Sequence, residues 1–395
     1  MIQNRIKNTQ LAMLLCVVVP AGKLLSLPHT AFGQGGRDTW LGMAIAFAIE
    51  VVAVGMALVG LKHNENDLTL KQILQNTIGK FLASILLIFY AVSFFAKFLY
   101  VLIDLKILYS EVFVLKSDWS VFTLIGLLVA WFLLYKGFNV VARLSEILFV
   151  PIMICLIAIS IFSLNDCNFY KLLPVANDGI SKVFGSALFM GFAFGDGAIL
   201  LVLSGDVKNA HQKTSQVFLG FVIGGIATIF LCVIYIALFG ELAYLGDIAI
   251  ARISQFNFNT SAVGRLDWLF ISGWAIAVYL LLFLYAYCFT KCMDMALFKG
   301  TDHTPKPFSR AFWVYSCFAL IAIFLPLLVD VKKLVLDYFA KGFVRYIDIF
   351  LTTVMAVLYP LFVKISNHKN QPTTKWLGQG LQQNIGGLKR IEKRH

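Results

Sequence analysis

The residues best placed to do chemistry in this chain are charges set inside apolar runs. Lys23, Glu50, Lys97, Glu146 and Asp196 all lie among hydrophobic neighbours. A charge at the centre of a membrane helix costs about 2.5–3.5 kcal/mol on insertion scales, so such residues are kept for a purpose. Asp196 is the sharpest of them. It sits in Gly191-Phe192-Ala193-Phe194-Gly195-Asp196-Gly197, where flanking glycines interrupt a helix and leave backbone amides free to meet a ligand. A carboxylate there suits a proton or an ammonium group. Its other role is to cap the half-helix that starts at Ala198, since Asp is a favoured N-cap.

Lys23 follows Pro20-Ala21-Gly22 inside another apolar run and is expected to open the second half of a broken helix. Its ammonium can pair with Asp196, with Glu146 or with a ligand carboxylate, or can serve only to hold the bundle together. Held there, it takes the place of a bound sodium ion, so any coupling falls to protons. Glu146, in Arg143-Leu-Ser-Glu146, is a coupling candidate or half of a surface pair with Arg143. Glu50 is centred in its run with no partner that spacing can name. Lys97 stands seven residues from Asp104, on one helical face, and is expected to be neutralised by it or to snorkel outward. Phe192 and Phe194, with Phe94 and Tyr100, can wall a pocket for a small apolar group, although aromatic stripes in a bundle are more often plain packing.

Phosphate-binding loops, dinucleotide-type glycine patterns, zinc motifs and nucleophile elbows are all missing, and the six histidines are scattered. The expectation is a protein that is not an enzyme and holds no metal or cofactor. Six of the seven cysteines lie in or at the ends of apolar runs, and only Cys167 falls in a loop. A disulfide framework is therefore not expected, and Cys288 and Cys292, on one face, read as small packing residues.

The elements that must position these groups are membrane helices. Of 395 residues, 59% are hydrophobic, and apolar runs recur at about 9–33, 39–61, 81–105, 119–135, 140–163, 180–204, 216–240, 266–290, 308–329 and 343–364. Each is long enough to cross hydrocarbon about 30 Å thick. The expected class is an all-α polytopic membrane protein of ten transmembrane helices. The first run is too long for a cleaved signal peptide. Runs one to five (9–163) and six to ten (180–364) form two halves joined by the polar stretch 165–178. Each half begins with an interrupted run, which is the plan of a 5+5 inverted repeat with its substrate at the breaks of helices 1 and 6. The candidate substrate-binding residues are Ala21, Gly22, Lys23, Tyr100, Gly191, Phe192, Phe194, Gly195 and Asp196. The candidate coupling charges are Lys23, Glu50, Glu146 and Asp196.

With both termini on one face, 20 of the 33 Lys and Arg residues fall on that side and 11 on the other. Both ends are thus expected in the cytoplasm. Residues 1–366 read as a single transmembrane domain, and 367–395 as a basic, disordered tail. The net charge of +12 is half supplied by Lys364–His395, a stretch suited to anionic lipid headgroups and lacking the aromatic interleaving of a nucleic-acid surface. Two segments of mixed polarity, Glu241–Phe256 and Val331–Phe343, are expected as amphipathic helices at the outer surface.

Four short stretches, in order, resemble the B-subunit permeases of bacterial spore germinant receptors, within the amino acid–polyamine–organocation superfamily. They are Gly22-Lys-Leu-Leu-Ser-Leu-Pro28, Gly36-Arg-Asp-Thr-Trp40-Leu-Gly42, Ala142-Arg-Leu-Ser-Glu146-Ile-Leu-Phe149 and Leu172-Leu-Pro-Val-Ala-Asn-Asp-Gly179. Phe194-Gly195-Asp196 is similar to the family's Phe-Gly-acid turn, with Asp where Glu is more usual. Lys23 stands where a small or polar residue is often found. The resemblance implies a LeuT-like fold in the inner membrane of the spore and a nutrient, usually an amino acid, at the breaks. It also implies assembly with A and C subunits. Two other functions share that architecture: a proton-coupled amino-acid transporter, and a pore or scaffold subunit of an ion- or water-releasing complex.

Overall fold

The computed structural model describes residues 6–64, 68–113, 119–177, 179–207, 213–245, 247–258, 267–297, 313, 315–321 and 331–370. Among them the chain is helical throughout, and the one β-type contact is a parallel bridge between Ile6 and Val207. Among the described residues, seven helices are long and apolar enough to cross a membrane. They are Leu27–His63, Lys80–Ser110, Phe138–Leu164, Ile180–Gly205, Thr214–Leu245, Phe270–Leu297 and Val344–Lys369, with a shorter apolar helix at Leu124–Lys136. Most of the expected span 308–329, and the tail 371–395, lie outside the described residues.

The helices are numbered here from the N-terminus. They are α1 (Asn8–Lys23), α2 (Leu27–Gly35), α3 (Thr39–His63), α4 (Leu70–Ile78), α5 (Lys80–Phe113), α6 (Trp119–Lys136) and α7 (Phe138–Leu164). Then come α8 (Ile180–Met190), α9 (Asp196–Val202), α10 (Thr214–Phe239), α11 (Ala249–Phe258), α12 (Asp267–Leu297), α13 (Val344–Ile349) and α14 (Met355–Asn370). A π-helical turn, Phe350–Val354, joins the last two.

The inside of the bundle is built around α1, α5 and α12. Leu280 to Phe289 of α12 is buried on every face, as a helix apolar all round must be. The outside is apolar as well. Ile147, Val150, Ile154, Ile157 and Ile161 of α7 are each more than half exposed, and Ile147, Ile154 and Ile161 recur every seven residues along one face. A stripe of that size is stable against hydrocarbon, not water. This is an integral membrane protein.

Pro20 does not end α1. It lies inside the helix, which runs on to Lys23, and the chain leaves helical geometry only at Leu24–Ser26. Lys23 is therefore the last residue of the first segment, not the opening of the second. Pro20 has no N–H for the Cys16 carbonyl, and the helix tolerates the loss because another backbone closes over that turn. A Cβ on Gly224 of α10 would lie 2.9 Å from the Cys16 carbonyl oxygen, and one on Gly220 only 2.3 Å from that of Ala12. Glycine lets α10 seat its backbone directly on α1.

The segment Glu241–Phe256 also departs from expectation. It is not one surface helix but a 3-10 stretch, Gly240–Leu245, followed by α11. Ile248, Ala249, Ile250, Ala251 and Ile253 are buried. The amides of Ala249 and Ile250 donate to the carbonyls of Leu25 and Leu24 at 3.1 and 3.3 Å. The interruption after α1 exposes carbonyls that need donors, and α11 supplies them from above. The segment Val331–Phe343 forms a short helix, Val331–Val335, and a π-helical turn, Leu336–Lys341. The final helix continues to Asn370, past the expected end of the domain.

Candidate functional site

The second interruption faces the first. Helix α8 ends at Met190, a 3-10 turn takes in Gly191–Ala193, and α9 begins at Asp196. Phe194 and Gly195 between them are non-helical, Gly195 at φ +128°, a conformation that favours glycine. Space makes the same demand, since a Cβ on Gly195 would lie 2.6 Å from Lys97 Nζ.

The charges close over this gap. Lys23 Nζ donates to Asp196 Oδ2 at 2.7 Å with both side chains under 5% exposed, and it stands 4.9 Å from the centre of the Phe194 ring. Lys97 Nζ donates to the Phe194 carbonyl at 2.7 Å and lies 3.9 Å from Asp348 Oδ2 of α13. The Ser93 hydroxyl donates to the other Asp348 oxygen. Glu50 Oε1 of α3 accepts from the Gly197 amide at 2.9 Å, one of the amides freed at the start of α9. Three carboxylates and two ammonium groups, drawn from α1, α3, α5, α9 and α13, thus share one buried region.

Between them is a small cavity lined by Val18, Gly22, Lys23, Lys97, Tyr100 and Phe192, with Val101, Ala193 and Tyr285 completing the wall. Its volume is about 10 Å³. That is room for roughly one water. Lys23 and Lys97 both line the cavity, and Glu50, Asp196 and Asp348 do not. A lysine ammonium has three donors. Lys23 gives one to Asp196 and Lys97 one to Phe194, so donors remain for a guest.

Tyr100 is fixed by the first interruption. Ser26 donates to Asp104 Oδ2 at 2.6 Å and meets the Tyr100 hydroxyl at 2.6 Å. With its single proton spent on Asp104, Ser26 accepts from Tyr100. The Tyr100 ring stands edge-on to Phe192, centroids 5.1 Å apart.

Several expected site residues meet here: Gly22, Lys23, Tyr100, Phe192, Phe194, Gly195 and Asp196, with Glu50 behind them. Ala21 is fully buried and does not line the cavity, and Gly191 abuts Ile349, toward which a Cβ would come within 2.9 Å. Glu146 is elsewhere. It is exposed on α7 and accepts from Gln10 Nε2 at 3.1 Å, so the Lys23–Glu146 pairing does not form. Lys97 is neither snorkelled nor held by Asp104. It is 4% exposed and turns inward to Asp348, while Asp104 takes Ser26. Asp348, Ser93 and Tyr285 were missed by sequence reasoning. Asp348 had a readable signal, a lone acid in the last apolar run. Ser93 and Tyr285 had none.

A second buried ion pair lies beyond α9. Asp206 Oδ2 accepts from Lys291 Nζ at 2.6 Å and from the Tyr287 hydroxyl at 2.8 Å. The Asp206 carbonyl accepts from the Ile6 amide at 3.0 Å, tying the start of the chain to the end of this segment.

A family of spore germination proteins matches residues 5–329. The chain belongs to that spore germination family. A curated relative, spore germination protein YndE of Bacillus subtilis (strain 168), is 24% identical over 252 residues. That alignment takes in 62% of this chain and 66% of YndE, just under two thirds of its length. Among solved structures, a mutant of the Eremococcus coleocola manganese transporter superposes with a TM-score of 0.57 at 12% identity, covering 96% of this chain and 91% of that one. The same transporter in complex with an aromatic bis-isothiourea substituted compound gives 0.50 at 14% identity, over 90% and 76% of the two chains. At such identities the likeness is one of fold: this spore germination protein has the all-helical fold of a membrane transporter. Its family and its fold neighbours are permeases and transporters, not enzymes.

Proposed function

We propose that this protein is the B-type subunit of a spore germinant receptor. It binds a small nutrient, best an amino acid, between the interruptions after α1 and α8, where the cavity must widen from its one-water size to admit the ligand. The full architecture in this reading is ten spans in a LeuT-like 5+5 inverted repeat with discontinuous first and sixth spans. The protein sits in the inner membrane of the spore with both termini cytoplasmic, the basic tail at anionic lipid, and A- and C-type subunits beside it.

One observation carries the ligand assignment: Lys23 and Lys97 both line the cavity with N–H donors to spare, and no acid lines it. A ligand carboxylate satisfies those donors by charge-assisted hydrogen bonds, with Phe192, Val18 and Val101 enclosing a short side chain. The same two ammonium groups repel a divalent cation, so the cargo of the manganese transporter does not transfer to this site. The test is paired binding and uptake of a labelled amino-acid panel, on purified protein and on proteoliposomes, with Asp196→Asn alongside. Saturable binding without accumulation, weakened in the variant, supports a sensor. Absence of binding across the panel refutes the reading.

A second reading, proton-coupled amino-acid transport, has its own support. Glu50, Asp196 and Asp348 outnumber Lys23 and Lys97 in the buried region by one, which leaves a place for one more positive charge, and a proton fills it without a metal site. Concentrative uptake driven by a pH gradient decides for this reading.

A further inference from the structure

Two of the sequence stretches singled out above take no part in the buried site, and the fold brings them together. Gly36-Arg37-Asp38 leads into α3, and Val175-Ala176-Asn177 leads toward α8. The Ala176 amide donates to Asp38 Oδ1 at 3.0 Å across 138 residues of sequence. Above that bond is a cavity of about 390 Å³, in the size range of small-molecule sites. It lies at the end of the bundle where α3 begins. Helix α3 ends at His63, beside Asn367 near the end of α14, so this cavity opens on the face opposite the C-terminal end of the last helix.

Its walls carry both signs of charge. Arg37 and Glu241, both exposed, pair at 2.6 Å. Asp38, 4% exposed, forms the floor, with Asn177, Tyr244 and Phe32 around it. Arg37 has five N–H donors and gives one to Glu241. A plain anion entering here meets two carboxylates, and a plain cation meets the guanidinium. A molecule with both charges a few ångströms apart satisfies each: its carboxylate on Arg37, its ammonium between Asp38 and Glu241, its side chain against Tyr244 and Phe32.

We infer that this cavity is a second ligand site, specific for small zwitterions of the α-amino-acid class and separate from the buried site between the interruptions. It stands on the Asp38–Ala176 junction and the mixed-charge walls, and holds whether the protein senses or transports. Arg37 and Glu241 are exposed enough (41% and 72%) to be replaced without unfolding the chain, so the site can be removed cleanly.

The experiment measures equilibrium binding of a ¹⁴C-labelled mixture of amino acids to purified full-length protein. Four forms are compared: the natural chain, Asp196→Asn, Arg37→Gln/Glu241→Gln, and all three changes together, each checked for an unaltered melting temperature. Competition uses propionate and alaninamide, which carry one charge each. The expected result is two classes of site in the natural chain and one in Asp196→Asn. That remaining class loses at least tenfold in affinity when the Arg37 and Glu241 changes are added, and neither single-charge competitor displaces label from it. Loss of all binding in Asp196→Asn overturns the second site and leaves the buried site standing. Binding that survives Asp196→Asn and vanishes with Arg37→Gln/Glu241→Gln alone keeps the second site and overturns the buried one. Equal displacement by propionate or alaninamide overturns the zwitterion assignment.

Discussion

Replacing Lys23 by Met removes the cation from a pair whose members are 2.7 Å apart and almost wholly buried. The loss is not of one contact. Asp196 is left with no ammonium beside it, within the same buried region as Glu50. Breaking one side of a buried pair costs about 3–5 kcal/mol, and the Phe194 ring contact adds about 0.5–2 kcal/mol. The reverse single change, Asp196→Leu, strands Lys23 and costs about the same 3–5 kcal/mol. The double change removes both charges and leaves apolar groups of similar size, which is often near neutral, so the expected coupling is at least about 2 kcal/mol in favour of the double variant. A thiol-reactive fluorogenic dye reads unfolding directly, because Cys16, Cys232, Cys288 and Cys292 are buried. Each single variant is expected to melt roughly 5–10 °C below the natural protein, with the double variant recovering most of the difference. If the two losses simply add, Lys23 and Asp196 do not form the pair described, and the closing of the two interruptions upon each other is wrong.

Three further outcomes are expected. Gly195→Ala forces a Cβ into a site at φ +128° that is already 2.6 Å from Lys97 Nζ; amino-acid binding should fall by more than tenfold, and unchanged affinity would show that Lys97 is not held there. Gly220→Ala places a methyl 2.3 Å from the Ala12 carbonyl oxygen and should cost about 1–3 kcal/mol by overpacking, read as a lower melting temperature. In a Cys317→Ser background, Cys167 should label with an impermeant maleimide only from outside intact cells. Burial, with Asp166 adjacent, pushes the Cys167 thiol up, so less thiolate is present at neutral pH and the labelling rate should keep climbing beyond the pH at which an ordinary thiol levels off.

What could be read from the sequence was whatever depends on period and composition. Runs of apolar residues located the membrane helices, and glycines flanking an acid marked the second interruption. Asp196 and Lys23 were found because a charge in hydrocarbon is rare enough to stand out. The place of the first interruption was misjudged because Pro20 reads as a helix breaker, and only the backbone of α10, seated on Gly220 and Gly224, explains why the helix continues through it. Partners were harder to name than positions. Lys97 and Asp104 share a helix face, but Asp348, some 250 residues later, wins Lys97 because tertiary packing brings α13 to α5. The burial of α11 was unreadable for a related reason. Its apolar positions look like a membrane-surface helix until the carbonyls of Leu24 and Leu25 are known to be waiting beneath it.

The two ends of the buried site are sealed by different chemistry, and that difference bears on whether the protein senses or transports. Toward α11 the seal is two backbone hydrogen bonds onto the carbonyls of Leu24 and Leu25, under a cover of small apolar side chains. Such a seal can part by a modest shift of α11, because water or a ligand can take over both carbonyls. Toward Ile6 the seal is the Ile6–Val207 bridge anchored beside the Asp206–Lys291–Tyr287 cluster. Opening there disturbs a buried ion pair, a cost of several kcal/mol unless the charges stay together. Ligand binding of ordinary strength, about 4–8 kcal/mol for millimolar to micromolar affinity, is ample to move the first seal, whereas parting the second charge pair, at about 3–5 kcal/mol, would consume most of it. A protein that opens readily on one side and resists opening on the other takes up its ligand without passing it on. On the proposed reading that asymmetry suits a sensor, and a transporter built on this frame must move Asp206 and Lys291 as one rigid unit.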